Sequence, residues 1–161
     1  KIHFPLFQLQ PYTLSPLLTE AIGIEKFGAT GFVPEINMLL IEVQDKQTLL
    51  DLSPDFAAMV KADKNLGEVV VTAPSTGNDY DFYSRCFCPW IGIDEDPVTG
   101  ASHSLMAAFW QKKTGKNQFK AYQCSKRGGY LNLKILGENL LEVVSEAKIV
   151  FEGNMMAGFQ Y

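Results

Sequence analysis

"GASHSLMAAFWQKK", Gly100 to Lys113, decides the fold, because it reads as a helix without a polar stripe. Ala101, Leu105, Met106, Ala107, Ala108, Phe109 and Trp110 cover most of its circumference, and a helix that is apolar all round is buried on all sides. The pattern therefore predicts a central helix over about 100–113 with a sheet wrapped around it. The ends are marked too. Asp94, Glu95 and Asp96 precede the run, Lys112 and Lys113 close it, and Gly115 stands where a left-handed cap falls, so both ends suit the helix macrodipole.

Working outward, "SPLLTEAIGI" carries Ser15 as an N-cap and Pro16 in the first turn, which predicts a short helix up to Gly23. "DLSPDFAAMVKAD" repeats the signal at Ser53, Pro54 and Asp55, with Phe56, Met59 and Val60 on one helical face. Strands are expected at Met38 to Val43, in "GEVVVTAP", in "DYDFYSRCFCPW", and in "FKAYQCS", "GYLNLKILG" and "LLEVVSEAKIVFEG". The turn Gly137 to Asn139 makes a hairpin of the last two. Short connections favour antiparallel pairing. The expectation is a single α+β domain over residues 1–161, a mainly antiparallel sheet rolled around the central helix.

Composition narrows the function. A chain of 161 residues with 47% hydrophobic and 20% charged content can bury a real core. A net charge of −4 argues against nucleic acid and against an acidic membrane surface as partners. No apolar run approaches the roughly 20 residues that span a bilayer, and the reading is of a cytoplasmic protein. Three cysteines, Cys86, Cys88 and Cys124, make no disulfide framework, and with His3 and His103 as the only histidines no metal site is expected.

The chemistry concentrates where the acids meet the helix. Carboxylates near a helix start give about 0.3–1 kcal/mol each without any function, and Asp94 and Glu95 are read that way. Asp96 differs, because it stands directly before "PVTG", where small residues let a ligand approach free N–H groups. Thr99, Gly100 and Ala101 are the expected donors to a small carboxylate or phosphate, with Asp96 as acid or base beside it. His103 is either a satisfied core residue or a member of the site. Arg127 in "QCSKRGG" is either a solvated turn residue or a partner for a substrate carboxylate.

The run "DFYSRCFCPWIGIDEDPVTGASHSLMAAFW", followed by "QCSKRGG", resembles the phenazine biosynthesis PhzF-like proteins, whose signature is E-D-P-x-T-G-S-A-H and later Q-x-S-x-R-G-G. The resemblance implies a diaminopimelate-epimerase-like fold of two similar domains with the active site in the cleft between them. This chain resembles the second domain, with "IHFP" like the segment leading out of the first and "VFEG" like the terminal strand. It further implies a cofactor-independent, metal-free proton shift on a small carboxylate-bearing metabolite, with a first-domain glutamate facing the aspartate that is Asp96 here. On that basis the isolated chain is expected to be inactive and to need the N-terminal domain as a partner, or to self-associate. The alternatives are a small-acid binding domain without catalysis and a protein-interaction domain that pairs through the cleft wall and the apolar tail "NMMAGFQY". The family's T-G-S-A is here Thr99-Gly100-Ala101-Ser102, which swings the serine hydroxyl by about 100° round the helix. Ser102 and His103 complete the expected ligand-holding set.

Overall fold

The computed structural model describes residues 1–77, 79–147 and 149–153. Its helix α4, Gly100–Thr114, ends on Gly115 in the left-handed region at φ 73°, with Lys112 and Lys113 in the last turn. Ser102 to Ala107 and Trp110 are buried. Around α4 the chain lays down β1 (Ile2–Pro5), β2 (Thr30–Val33), β3 (Met38–Glu42), β4 (Glu68–Pro74), β5 (Phe82–Cys88), β6 (Ile93–Glu95), β7 (Gln118–Gln123), β8 (Gly129–Leu136) and β9 (Leu140–Val144).

These form one nine-stranded sheet in the order β1-β9-β8-β7-β5-β4-β3-β2, with β6 pairing β5 beside the main path. The helix touches β1, β3, β8 and β9, strands from both halves of that order, which is possible only because the sheet curls around it. Leu105, Met106, Ala107 and Trp110 enter one core with Leu40, Val70, Phe82, Cys86, Leu131 and Leu141. Trp110 donates its indole N–H to the Thr72 hydroxyl at 3.1 Å, so its polar atom is satisfied inside that core.

The outer face carries a second core under three short helices, α1 (Pro16–Ile22), α2 (Lys46–Asp51) and α3 (Phe56–Ala62). Strands β3 and β4 therefore bury both faces, which explains why "MLLIE" and "VVV" read as continuous apolar runs instead of alternating.

Several expectations need correction. Most pairs are antiparallel, but β3 with β4 and β5 with β7 are parallel, because helices carry the chain back across the sheet in each case. The cap of α3 is Asp55, whose carboxylate accepts the Ala58 N–H at 2.9 Å, and not Ser53. Helix α2, capped by Asp45, had no counterpart in the sequence reading. The last strand stops at Val144, and Val150–Gly153 forms no strand. The apolar tail 154–161 lies outside the described residues. The central helix is not covered all round: Ala108 and Phe109 are only half-buried and line a cavity of about 730 Å³ with Leu9, Pro11 and Thr30. Among the described residues no helix is long and apolar enough to cross a membrane.

Candidate functional site

The turn joining β6 to α4 is gripped by the segment that follows β7. Gln123 is fully buried beneath it. Its Oε1 accepts the Thr99 N–H at 2.8 Å, and its Nε2 donates to the Asp96 carbonyl at 2.7 Å and to Thr99 Oγ1 at 3.2 Å. The Ser125 hydroxyl donates to the Pro97 carbonyl at 2.7 Å and accepts the Gly128 N–H at 3.0 Å. Gly128 sits at φ 69°, and a Cβ there would strike the Tyr122 hydroxyl, while one on Gly129 would strike Val98. The paired glycines of "QCSKRGG" thus let this loop close against "DPVTG".

Asp96, partly buried, accepts the Thr99 hydroxyl on Oδ2 and gives its own N–H to the Cys86 carbonyl at 3.0 Å. Both N–H and O–H of Thr99 are therefore used inside the chain, which removes Thr99 from the expected ligand donors. The start of α4 has no side-chain cap, and this leaves Gly100 and Ala101 as the donors at its mouth. A Cβ on Gly100 would lie 2.7 Å from the Phe4 ring, so a side chain there would have to push that ring aside.

Ser102 and His103 turn inward and are fully buried, so His103 takes the core position of its two readings and Ser102 departs from the expected ligand contact. The Ser102 hydroxyl lies 3.3 Å from the Cys86 thiol, and His103 Nδ1 is 2.6 Å from the Thr99 carbonyl with its ring stacked on Phe82. Burial, only partly offset by that carbonyl, pushes the His103 pKa down to about 4, so the ring is neutral at physiological pH. It buttresses the turn from behind.

Glu95 is not a helix-dipole partner either. Arg85 clamps it with Nε to Oε1 at 2.8 Å and Nη2 to Oε2 at 3.0 Å, and the third arm of the guanidinium reaches the Leu52 carbonyl at 2.8 Å. Arg127 is exposed and makes no ion pair among the described residues. Asp94 is exposed as well.

One group escaped the sequence reading. Glu68, at the head of β4, places Oε1 in a buried position without a hydrogen-bond partner. Burial raises its pKa to about 7, against the Cys86 and Ser102 groups that favour the carboxylate, and the charge of Asp96 adds to the rise. The available signal was a lone acid opening the "VVV" run of a strand buried on both faces. Among the described residues no group of three or more His, Cys, Asp and Glu side chains is placed to hold a metal ion.

The chain is 32% identical over 163 residues to phenazine biosynthesis-like domain-containing protein 2 of Mus musculus, covering 96% of this chain and 57% of that protein. It is 47% identical over 96 residues to an uncharacterized isomerase of Halalkalibacterium halodurans, covering 60% of this chain and 36% of that protein. A crystal structure of a phenazine biosynthesis protein of the PhzF family from Enterococcus faecalis superposes with a TM-score of 0.78 at 30% identity, over 89% of this chain and 53% of that one. The chain thus spans between about a third and three fifths of the length of these relatives. The family model described as phenazine biosynthesis-like protein, PhzC-PhzF, matches residues 19–153 and so takes in every element from α1 to β9 apart from the first turn of α1. The chain belongs to the phenazine biosynthesis-like family.

Proposed function

We propose that this chain forms one wall of a cofactor-independent isomerase that shifts a proton on a small carboxylate-bearing metabolite. Asp96 is the acid or base of that wall. The observation that carries the reading is the placement of Asp96: Gln123 and Thr99 hold its backbone and side chain beside the uncapped start of α4. Gly100 and Ala101 give their N–H groups to the ligand carboxylate, where the helix dipole favours negative charge. Arg127, on the loop that Ser125 ties to this turn, supplies a further positive charge at the rim.

A proton shift between two faces of a substrate needs a partner group on the opposite side. We infer that the opposite wall belongs to the portion of the relatives that this chain does not match, in keeping with a site at a cleft between two domains.

Solvent deuterium uptake by small carboxylic acids tests the reading. The chain alone exchanges little, a complete two-domain relative exchanges, and Asp96→Asn in that relative lowers the rate by about 10²–10⁴. Undiminished exchange by the Asn variant overturns the role of Asp96. One observation favours a second reading, self-association: Ile149, Val150 and Phe151 are 88%, 94% and 84% exposed, a bare apolar run. Sedimentation velocity over a concentration series separates the two.

A further inference from the structure

Glu68 shares its side of the sheet with Val70, the side that packs on α4. There its carboxyl faces the Cys86 thiol of β5 and the Ser102 hydroxyl of α4. Those two groups are 3.3 Å apart, and the Ser102 hydroxyl also donates to the Thr99 carbonyl at 3.4 Å. A row of polar side chains therefore runs from Glu68 to the Thr99–Asp96 pair. At the head of that row, Glu68 Oε1 is buried and has no partner.

Among the described residues no cationic side chain pairs with Glu68. Asp96 faces it from the β6–α4 turn, Cys86 and Cys88 from β5, and Ser102 from α4, while on the β3 side its neighbour in register is Met38. An ionised Glu68 would add to the negative charge of Asp96, which already acts on it, and a ligand carboxylate at Gly100 and Ala101 would add again. Like charges gathered in a half-buried site repel. A neutral Glu68 removes one of them and offers an O–H donor instead.

Resting on the reading of this turn as a carboxylate-holding wall, we propose that Glu68 is a positioning residue, whose carboxyl must be neutral for a ligand carboxylate to settle beside Asp96. The charge state follows from burial and from Asp96, which together lift Glu68 to about 7. Below that pH the wall accepts an anion. Above it the wall repels one.

The test uses acetate as probe, titrated into ¹⁵N-labelled chain while the Gly100 and Ala101 amide signals are followed. In the wild type, acetate affinity falls about tenfold between about pH 6 and about pH 8. In Glu68→Gln, which stays neutral, acetate binds with the same affinity across that range. By linkage, saturating acetate also raises the midpoint at which the Glu68 carboxyl itself titrates, read from its ¹³C signal in the unmutated chain. A wild-type affinity that is flat with pH, or equal slopes in both proteins, or a Glu68 midpoint indifferent to acetate, overturns the role of Glu68 and leaves the anion turn standing. Amide signals at Gly100 and Ala101 that ignore acetate throughout overturn both.

Discussion

Gln123 holds Thr99 by its N–H at 2.8 Å across 24 residues of sequence, and through the same amide it holds the carbonyl of Asp96 at 2.7 Å. One buried side chain thereby fixes the entry of the central helix and the backbone of the acid that precedes it.

Replacing Gln123 with Leu leaves the Thr99 N–H and the Asp96 carbonyl without partners. Each such group costs about 1–3 kcal/mol, and urea unfolding should show a loss in that range or above. A loss below about 0.5 kcal/mol would mean that water or the Ser125 contact holds the turn equally well.

Leu105 is fully buried in the core that the curled sheet closes around α4. Leu105→Ala should cost about 2–5 kcal/mol, the range for truncating a packed leucine. Phe109→Ala, at a half-buried position beside the open cavity, should cost less. Equal losses in the two variants would contradict the difference in their surroundings.

Two groups shifted by desolvation, the half-buried Glu68 and the fully buried His103, give opposite slopes of stability against pH. Glu68 rises from 4.5 to about 7 on folding, so its contribution is fully present below about 4.5 and disappears as pH climbs through about 7. His103 falls from 6.5 to about 4, so its contribution is present above 6.5 and disappears as pH drops toward 4. Across the overlap the two slopes cancel. The wild type should therefore be nearly flat there, Glu68→Gln should gain stability with rising pH, and the variant should exceed the wild type above about pH 7 by about 3 kcal/mol. Parallel curves for the two proteins in a denaturant series would refute the linkage.

The thiols should differ in reactivity. Burial raises all three thiols, Cys88 to about 11, but Cys86 and Cys88 are buried whereas Cys124 is half-exposed and within reach of a reagent. An aromatic disulfide reagent should label Cys124 alone in the native protein and all three thiols after unfolding. Fast labelling of Cys86 without unfolding would show that the Cys86–Ser102 contact opens readily.

The sequence by itself determined the elements whose signals are local. Helix α4 follows from an apolar circumference closed by two lysines and Gly115, α1 from Ser15 and Pro16, and the β8–β9 hairpin from Gly137 to Asn139. It also pointed to Asp96, because an acid directly before a small-residue helix start is visible within a few positions. Only the tertiary structure decided which partners those residues meet. The parallel pairing of β3 with β4 depends on where α2 and α3 pack, the use of Glu95 depends on Arg85 arriving from β5, and Thr99 gives its N–H to Gln123 and its hydroxyl to Asp96. Glu68 is the clearest case: its neighbours Cys86, Asp96 and Ser102 come from three other segments, and burial among them raises its pKa. Hydrogen bonds and desolvation depend on distances in space, and periodicity along a chain records only the face on which a residue lies.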